Sequence, residues 1–354
     1  MNRLHVIIPA GGVGSRLWPL SRKDRPKFLL DLRMSGKSLL QETIDRLAPI
    51  AASFTIVTGR AHEQAVRAQI PQGLDVTVLV EPQGRDSMPA IGLAAYVIRQ
   101  RFGDEAPIAS FAADHAITHP QVLLDCVERA LEVAQKGYVV TIGLRPLTPS
   151  TAYGYIAPGE PFEKESPEKG SIVRSFVEKP DEETAKQYCE QGYLWNAGMF
   201  IMTAGTLARA LTRFHPDMDS HLSAIGSQWG SESFAQTLSE EWPALTKIAI
   251  DHAIAEPLAS EGGVAVVPAT DMGWTDVGDF DALAQISSEG QALRIESPDS
   301  FVRSLTGQKI VLVGAPNMAV IATADAILVV DRNRAQDVKH VVDQLTQSGE
   351  EELL

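Results

Sequence analysis

A glycine-rich segment near the start of the chain has the residue types and spacing to bind an anion. An apolar run at residues 4–8 predicts a buried strand, and Gly11, Gly12 and Gly14 follow it closely. Glycine lets backbone N–H groups surround an anion, because no Cβ blocks the approach and a positive φ carries no penalty. Arg16 and Lys27 add positive charge. The spacing predicts a polyphosphate-binding loop, and we expect both charged side chains to face solvent when no ligand is bound.

This loop differs from two familiar phosphate-binding motifs. No Gly-Lys-Ser/Thr sequence closes it, which excludes a Walker loop. Gly12 and Gly14 lack the third glycine of a dinucleotide fingerprint, and the predicted strand at 54–57 is not followed by an acidic ribose ligand, which disfavours a dehydrogenase. The competing interpretation of Arg16 and Lys27 is an ordinary surface pair on a basic loop.

Two aspartates end predicted strands and could supply metal ligands. Asp114 follows the apolar run at 108–111, and Asp276 follows a strand-like run at 264–267. Two carboxylates in one pocket suit Mg²⁺, which prefers oxygen ligands and keeps phosphates and water in its coordination shell. For each aspartate alone, a loop-capping role is a serious alternative.

The second half of the chain offers groups that suit a phosphorylated sugar. Glu178 and Lys179 follow the predicted strand at 172–177. The Lys179 ammonium could neutralise a phosphate, and the Glu178 carboxylate could accept hydrogen bonds from sugar hydroxyls. Asn196 can both donate and accept, which suits a hexose hydroxyl. The segment from Glu81 to Asp86 is the candidate platform for a base, although it also predicts the capped start of a helix.

These segments together resemble sugar-1-phosphate nucleotidylyltransferases. The form of the motif at residues 17–22, Leu-Trp-Pro-Leu-Ser-Arg, resembles the mannose-1-phosphate guanylyltransferase branch. The resemblance covers essentially the whole chain, and its motifs occur in the same order as in the family. The matching segments are GGVGSRLWPLSR at 11–22, PK at 26–27, EP at 81–82, PA at 89–90, ADH at 113–115, YGYI at 153–156, FVEKP at 176–180, WNAGMF at 195–200 and WTDVG at 274–278.

The resemblance implies a Mg²⁺-dependent enzyme that makes GDP-mannose from GTP and mannose 1-phosphate. It implies that Arg16 and Lys27 are catalytic and that Asp114 and Asp276 hold the metal. The implied nucleotide-binding residues are Ala10, Gly11, Gly12, Gly14, Ser15, Glu81, Arg85 and Asp86. The implied sugar-phosphate-binding residues are Tyr153, Gly154, Glu178, Lys179 and Asn196.

Two departures from the branch pattern keep alternatives open. Residues 86–88 are Asp-Ser-Met where the pattern has Asn-Thr-Ala, and residues 150–152 are Ser-Thr-Ala where it has Glu-Thr-Gly. The first concerns the base or ribose and the second concerns the sugar. One alternative is therefore a transferase for another sugar 1-phosphate, such as a heptose. A second is a catalytically silent regulatory subunit, against which the retained candidate cations and aspartates argue.

The elements that must position these residues follow an alternating pattern in the first half. Apolar runs predict strands at 4–8, 54–57, 76–80, 108–111 and 138–142, with helices predicted at 38–47, 62–70, 89–101 and 121–135. Such alternation predicts a Rossmann-like, mostly parallel sheet flanked by helices, whose ligands bind beyond the carboxyl ends of the strands. We expect a catalytic domain at 1–290 and a small C-terminal β-rich domain at 291–354 that ends in a helix and resembles the short β-helical appendage of the family.

Composition excludes several other classes. The net charge of −14 over 354 residues argues against a nucleic-acid partner, which needs clustered cations. No apolar run approaches the ~18 residues of a membrane-spanning helix, so we expect no membrane partner. Cys126 and Cys189 lack metal-type spacing, and free thiols fit the cytoplasm. A homodimer is the hypothesis for assembly.

Overall fold

The main body of the protein is one nine-stranded sheet with helices packed against it. The structure is a computed structural model and describes residues 4–287 and 292–354. Nine strands lie in the order β3-β2-β1-β4-β9-β6-β10-β8-β7. Their bounds are β1 (Leu4–Ala10), β2 (Ala51–Gly59), β3 (Val76–Glu81), β4 (Pro107–Ser110), β6 (Val139–Leu144), β7 (Tyr155–Pro161), β8 (Ser171–Val177), β9 (Leu194–Thr203) and β10 (Val264–Ala269); β5 (Ala116–Ile117) and β11 (Trp274–Thr275) form a separate small pair.

Helices connect most of these strands. Their bounds are α1 (Leu39–Leu47), α2 (Glu63–Ala68), α3 (Ser87–Phe102), α4 (Pro120–Ala134), α5 (Glu182–Glu190), α6 (Ala204–Phe214), α7 (Pro216–Ser227), α8 (Phe234–Glu241), α9 (Glu256–Ala259), α10 (Phe280–Ile286) and α11 (Val338–Ser348). A π-helical turn, Asp251–Ala255, leads into α9. No helix in the described ranges is long and apolar enough to cross a membrane.

The direction of the strands confirms the predicted fold class. Strands β3, β2, β1 and β4 are parallel neighbours, and β10 is parallel to β6, whereas β8 and β9 run against the others. The parallel part corresponds to the predicted strand–helix alternation. Because parallel strands are covered on both faces, they are almost continuously apolar, which is why their positions were predictable. β1 has only one residue that is not fully buried.

Local sequence explains where key helices begin. Ser38 caps α1 in a reciprocal capping box with Gln41, which satisfies two backbone donors at the helix start. Asp86 caps α3 through its side chain and adopts a positive φ of 68°. α3 is buried along most of its length because it packs against β1 and β2 on one side and α6 and α7 on the other.

The C-terminal region has the repeating geometry of a β-helix, as the sequence analysis predicted. Its strands are β12 (Ala292–Ile295), β13 (Phe301–Ser304), β14 (Ile310–Val313), β15 (Met318–Ala322) and β16 (Ile327–Asp331). Residue 292 pairs in parallel with 310, and 301 pairs with 319, so each ladder joins strands offset by the same 18 positions. The predicted boundary between residues 290 and 291 lies outside the described residues.

A shared hydrophobic cluster joins the two ends of the chain. Leu17, Trp18 and Leu20, which directly follow the glycine-rich loop, pack in one core with Phe301 and Ile321 of the C-terminal strands. A buried cation reinforces the contact, because the Arg303 guanidinium donates to the carbonyl oxygens of Asp31 and Leu32 at 2.6 Å each. The segment that carries the predicted phosphate-binding residues therefore rests on the C-terminal region.

Candidate active site

The glycine-rich loop leaves the carboxyl end of β1 and folds back over Lys27. Gly14 adopts a left-handed φ of 77°, and a Cβ at this position would lie 2.9 Å from the Lys27 side chain. The Lys27 backbone N–H donates to the Val13 carbonyl at 3.1 Å, and the Ser21 hydroxyl donates to the Gly14 carbonyl at 2.6 Å. Glycine is therefore required at position 14 both for its backbone conformation and for the close approach of the lysine.

Lys27 contacts both aspartates that were predicted to bind the metal. Its Nζ atom lies 2.9 Å from Asp114 Oδ2 and donates to the Asp276 backbone carbonyl at 2.8 Å. The side chain is only 12% exposed, so the expectation that it faces solvent is wrong. Burial opposes ionisation of Asp114, but the charges of Lys27 and His115 outweigh it and hold the pKa of Asp114 below its usual value.

Arg16 is placed quite differently from Lys27. It lies in the short 3₁₀ turn Ser15–Leu17 and is exposed, as expected. It makes no hydrogen bond or ion pair with any residue in the described ranges. Its guanidinium is thus free to meet an anion at the mouth of the loop, while Lys27 is already engaged.

A two-residue strand pair brings the two predicted metal aspartates to one place. β5 and β11 are antiparallel, with Thr275 opposite Ala116. Asp114 precedes β5 and Asp276 follows β11, so the pairing delivers both to the same end of the small sheet. Lys27 contacts the carboxylate of Asp114 and the backbone carbonyl of Asp276, so both residues lie beside one ammonium group. The sequence did not predict this strand pair, because two-residue strands have no detectable periodicity.

Asp276 is held in a fixed orientation by its neighbours. Its Oδ1 atom accepts from the Tyr153 hydroxyl at 3.2 Å and from the Gly278 N–H at 3.1 Å. Val277 adopts a φ of 49°, a left-handed conformation that is rare for a β-branched residue and that persists only where surrounding contacts enforce it. His115 stands beside the site, where its Nδ1 accepts from Trp274 Nε1 at 3.2 Å, and burial lowers its pKa.

The donor set at this position suits a hard divalent cation that has further ligands. Asp114 and Asp276 supply carboxylate oxygens, and Asp276 Oδ2 accepts no hydrogen bond from the described residues. The described residues contain no cluster of three or more His, Cys, Asp or Glu side chains that could form a complete protein cage. A two-carboxylate site fits Mg²⁺ bound together with substrate phosphates rather than a structural metal.

A pocket of about 320 Å³ lies beside the glycine loop and contains a buried acid. Ala10, Gly11, Gly12, Glu81 and Asp86 are among the residues that line it. Glu81 is 6% exposed, its Oε2 has no partner among the described residues, and burial raises its pKa to about 7. A buried acceptor without a donor costs free energy, which suggests that a ligand supplies the donor.

Arg85 does not line this pocket. Its guanidinium donates to the backbone carbonyls of Pro243, at 2.7 Å, and Leu245. Trp242 Nε1 donates back to the Gln83 carbonyl at 2.8 Å, so the segment after Glu81 is fastened to the turn that follows α8. These contacts favour a structural role for Arg85 in shaping the platform, although the sequence predicted a nucleotide contact.

The predicted sugar side is a compact cluster at the end of β8. Glu178 is largely buried; its Oε1 lies 2.9 Å from Lys179 Nζ, and its Oε2 has no partner among the described residues. Lys179 is 62% exposed and adopts a φ of 47°. Gly154 leaves no room for a Cβ, because Glu178 Oε2 occupies that space. Tyr153 contributes an aromatic wall with Trp195 and Trp274.

Asn196 connects this cluster to a residue that the sequence analysis missed. Its Nδ2 donates to Asp251 Oδ1 at 2.7 Å, and its backbone N–H donates to the Gly154 carbonyl at 2.8 Å. Burial, together with the charge of Glu178, raises the pKa of Asp251 to about 6. Glu256, also missed, accepts from the Glu178 N–H at 3.2 Å. The sequence offers one signal for Asp251, which is an acidic residue between the apolar residues of the segment 250–254.

Lys179 is influenced by acids from both predicted halves of the site. Its pKa is raised, first by Glu178 and further by the charges of Asp251 and Asp86. Asp86 belongs to the pocket beside the glycine loop, whereas Glu178 and Asp251 belong to the sugar side. One exposed ammonium is therefore set among carboxylates from both halves.

Known families match nearly the whole chain. Residues 5–292 match the nucleotidyl transferase family, and residues 290–345 match the MannoseP isomerase/GMP-like beta-helix domain.

Curated relatives match at about one third identity. A mannose-1-phosphate guanylyltransferase of Escherichia coli (strain K12) is 35% identical over 365 residues, which cover 99% of this chain and 75% of the relative. The Xanthan biosynthesis protein XanB of Xanthomonas campestris pv. campestris (strain B100) is 34% identical with the same coverage. The chain thus spans about three quarters of the length of these relatives.

A solved structure supports the same fold. A protein of Thermus thermophilus, described as a mannose-1-phosphate geranyltransferase, matches with a TM-score of 0.82 and 31% identity over 98% of this chain and 100% of its own. UDP-glucose pyrophosphorylase in complex with UDP-glucose matches with a TM-score of 0.52 and 18% identity over 81% of this chain and 97% of its own, which supports the fold alone.

Proposed function

The chain belongs to the nucleotidyl transferase family, and from that membership we propose that it is a mannose-1-phosphate guanylyltransferase. In this reaction a phosphate oxygen of mannose 1-phosphate attacks the α-phosphorus of GTP. The new P–O bond forms as the bond to the β-phosphate oxygen breaks, which yields GDP-mannose and pyrophosphate. The observation that carries the proposal is the glycine loop folded over Lys27, with Asp114 and Asp276 flanking that lysine.

The cations of the loop supply the charge that this reaction needs. Both substrates are anions, so positioning and charge neutralisation are the main sources of rate enhancement. Arg16 is exposed and has no described partner, so it can bind the triphosphate from outside the loop. Lys27 reaches the reacting phosphates by exchanging its contact with Asp114 for a phosphate oxygen. The backbone from Ala10 to Ser15 would hold the triphosphate between them.

We propose Mg²⁺ as the cofactor, held by Asp114 and Asp276. When bound, a divalent cation neutralises phosphate charge and orients the phosphate oxygens. The protein's own part is to fix the Asp276 carboxylate through Tyr153 and Gly278 and to keep Asp114 ionised through Lys27.

The choice of guanine is supported by the acid of the nucleotide pocket. Guanine presents adjacent N–H donors on one edge, and an ionised carboxylate can accept from them. Glu81 Oε2 is a buried acceptor without a partner among the described residues in a pocket beside the glycine loop. Asp86 lines the same pocket and would contact the ribose or base.

The sugar phosphate would bind at the opposite cluster. Lys179 provides an exposed ammonium for the phosphate, while Glu178 and Asn196 provide hydroxyl partners. Tyr153 and Gly154 form the adjoining turn. A cytoplasmic location and a homodimeric assembly are further parts of this proposal, and the two free cysteines are compatible with the cytoplasmic location.

A substrate matrix tests the proposal directly. Purified protein with Mg²⁺ should release pyrophosphate fastest with GTP and mannose 1-phosphate, compared with ATP, UTP, CTP and dTTP and with glucose 1-phosphate and a heptose 1-phosphate. Preference for the heptose would retain the chemistry and change the substrate. Binding of GDP-mannose without turnover of any pair would favour the regulatory-subunit alternative and overturn the proposal.

A further inference from the structure

The Asn196 amide is almost fully committed to protein partners. Its Oδ1 accepts from the Thr141 hydroxyl at 2.9 Å and from the Gly198 N–H at 3.1 Å, which uses both lone pairs. One Nδ2 hydrogen goes to Asp251 Oδ1 at 2.7 Å. The second Nδ2 hydrogen has no acceptor among the described residues. The amide is therefore locked in one orientation with a single donor left for a ligand.

The segment that carries Asp251 is anchored to both halves of the site. On the nucleotide side, the Ile250 N–H donates to the Ser87 hydroxyl at 2.9 Å, and the Met88 N–H donates to the Ile248 carbonyl at 3.1 Å. On the sugar side, Glu256 accepts from the Glu178 N–H. Asp251 is thus held at a defined position relative to α3 and to the end of β8.

We propose that Asp251 determines sugar specificity: its Oδ1 fixes the Asn196 amide, and its Oδ2 accepts from a hydroxyl of the bound sugar. This inference rests on the proposed function. Glu178 Oε2 is buried without a partner among the described residues, and no side-chain donor of the described residues reaches Asp251 Oδ2. Asn196 and Glu178 Oε2 both lie against Gly154, so the remaining Asn196 N–H is a donor near that oxygen. Together the three groups offer one donor and two acceptors, which suits the hydroxyls of a hexose ring.

A neutral side chain would satisfy the Asn196 amide at lower cost. A single N–H needs only an uncharged acceptor, yet an ionisable, half-buried acid lies near Glu178. Burial and the Glu178 charge raise the pKa of Asp251 to about 6, while Lys179 and the Asn196 hydrogen bond oppose that rise. A stability cost that a simple structural role does not require is expected at a functional position.

Asp251→Asn and Asp251→Ala separate the functional role from a structural one. Asn keeps an acceptor for the Asn196 amide but loses the charge, so we expect KM for mannose 1-phosphate to rise about 10- to 100-fold, while KM for GTP changes less than about twofold. Ala should raise it further. The Tm of Asp251→Asn should equal or exceed that of the wild type, because a half-buried charge is removed.

A pH series supplies a second readout. In the wild type, KM for the sugar phosphate should rise as the pH falls through about 6, because Asp251 becomes protonated. Asp251→Asn should lose this part of the dependence and keep the part that comes from the substrate phosphate. His252→Gln is the control, since His252 lies in the same turn and its own pKa is raised by its contact with Glu256. The other charged groups that act on Asp251 are Glu178 and Lys179.

The outcomes separate this inference from the proposed function. If Asp251→Asn has the KM and pH dependence of the wild type, the inference is wrong. It is also wrong if both substrates lose affinity equally and Tm falls, since that pattern indicates a structural role. If the wild type does not use mannose 1-phosphate, the proposed function fails, and the same variants are compared on whichever sugar phosphate the wild type accepts.

Discussion

The nucleotide side and the sugar side of the site are built by different means. Beside the glycine loop, the pocket is formed largely by backbone and glycines, and Glu81 presents an oxygen without a described partner. On the sugar side, Asn196, Asp251 and Glu178 form a network in which most polar atoms already have partners. In the proposed reaction, the ligand would supply the missing polar partners in the first pocket, whereas the polar network of the second pocket is already formed without a ligand.

Both sides nevertheless contain an acid with a raised pKa, fully buried in the case of Glu81 and half-buried in the case of Asp251. Burial raises the pKa of Glu81 to about 7, and burial together with Glu178 raises the pKa of Asp251 to about 6. For a carboxyl group whose pKa is higher in the folded state, stability is fully present below the unfolded pKa and falls as the pH rises through the folded value. Each pocket therefore carries a stability cost near neutral pH, which ligand donors can offset.

Removing the two cations of the glycine loop should give the largest effects. Lys27→Ala and Arg16→Ala should each lower kcat about 10²- to 10³-fold, since each removes an oriented charge at a reacting phosphate. Their stabilities should differ, because Lys27 neutralises Asp114 whereas Arg16 has no described partner. We expect Lys27→Ala alone to lose roughly 1–3 kcal/mol at pH 7, less than a fully buried pair because Asp114 stays partly exposed.

Steady-state kinetics and thermal unfolding of both variants check this contrast. Lys27 helps to hold the pKa of Asp114 low, so its stabilising contribution is present above the unfolded pKa of Asp114 and is lost as the pH falls through the folded value. The stability gap between wild type and Lys27→Ala should therefore narrow in acid. An equal Tm for both variants at pH 7 would contradict the assigned ion pair.

An intermediate effect is expected from the loop glycine. Gly14→Ala places a Cβ 2.9 Å from the Lys27 side chain at a φ of 77°, so it should lower kcat at least tenfold and cost ~1–2 kcal/mol of stability. Gly73→Ala is the matched control, because Gly73 has a φ of 86° but nothing within 4 Å of the added Cβ. Gly73→Ala should lose a similar free energy of unfolding but no activity. If Gly73→Ala lost as much activity as Gly14→Ala, backbone strain alone would explain the loss in Gly14→Ala.

The smallest effect concerns base choice. Glu81→Gln replaces a carboxylate by an amide, so the preference for GTP over ATP should fall about tenfold. The wild type should lose stability between about pH 4.5 and 7 as the unfolded state ionises, whereas the variant should not, which makes the variant more stable at pH 8 by at most ~3 kcal/mol. Competition kinetics and unfolding at pH 5 and pH 8 measure both changes. An unchanged GTP preference would remove Glu81 from base recognition.

The same contrast explains which parts of the site the sequence could predict. The glycine loop and the two aspartates were singled out from short motifs, because the residues that make up each motif are neighbours in sequence. The sugar-side network was only half predicted: Asn196 was named, but its acceptor Asp251 lies 55 positions away. Arg85 was predicted to bind the nucleotide from the family resemblance. Its actual partners are backbone carbonyls about 160 positions away, and the sequence around Arg85 contains no sign of them.

The fold was easier to predict than the contacts. Runs of apolar residues identified the buried parallel strands, because burial on both faces requires continuous hydrophobicity. The strand pair β5 and β11 was missed because its length conveys no pattern, although it brings Asp114 and Asp276 together. The prediction that Lys27 faces solvent was also wrong, because the sequence around the glycine loop does not show that Asp114, far along the chain, pairs with this lysine.

The shared core of the two chain ends has a consequence for modularity. Two separate sequence families meet near residue 290, yet Leu17 and Trp18 pack with Phe301 and Ile321, and Arg303 holds the carbonyls at 31 and 32. Removing the C-terminal strands would expose Leu17 and Trp18, the apolar residues that directly follow Arg16 in the chain. The boundary between the two sequence families is therefore not a boundary in the hydrophobic core, and the β-helix-like region supports the segment that follows the glycine-rich loop.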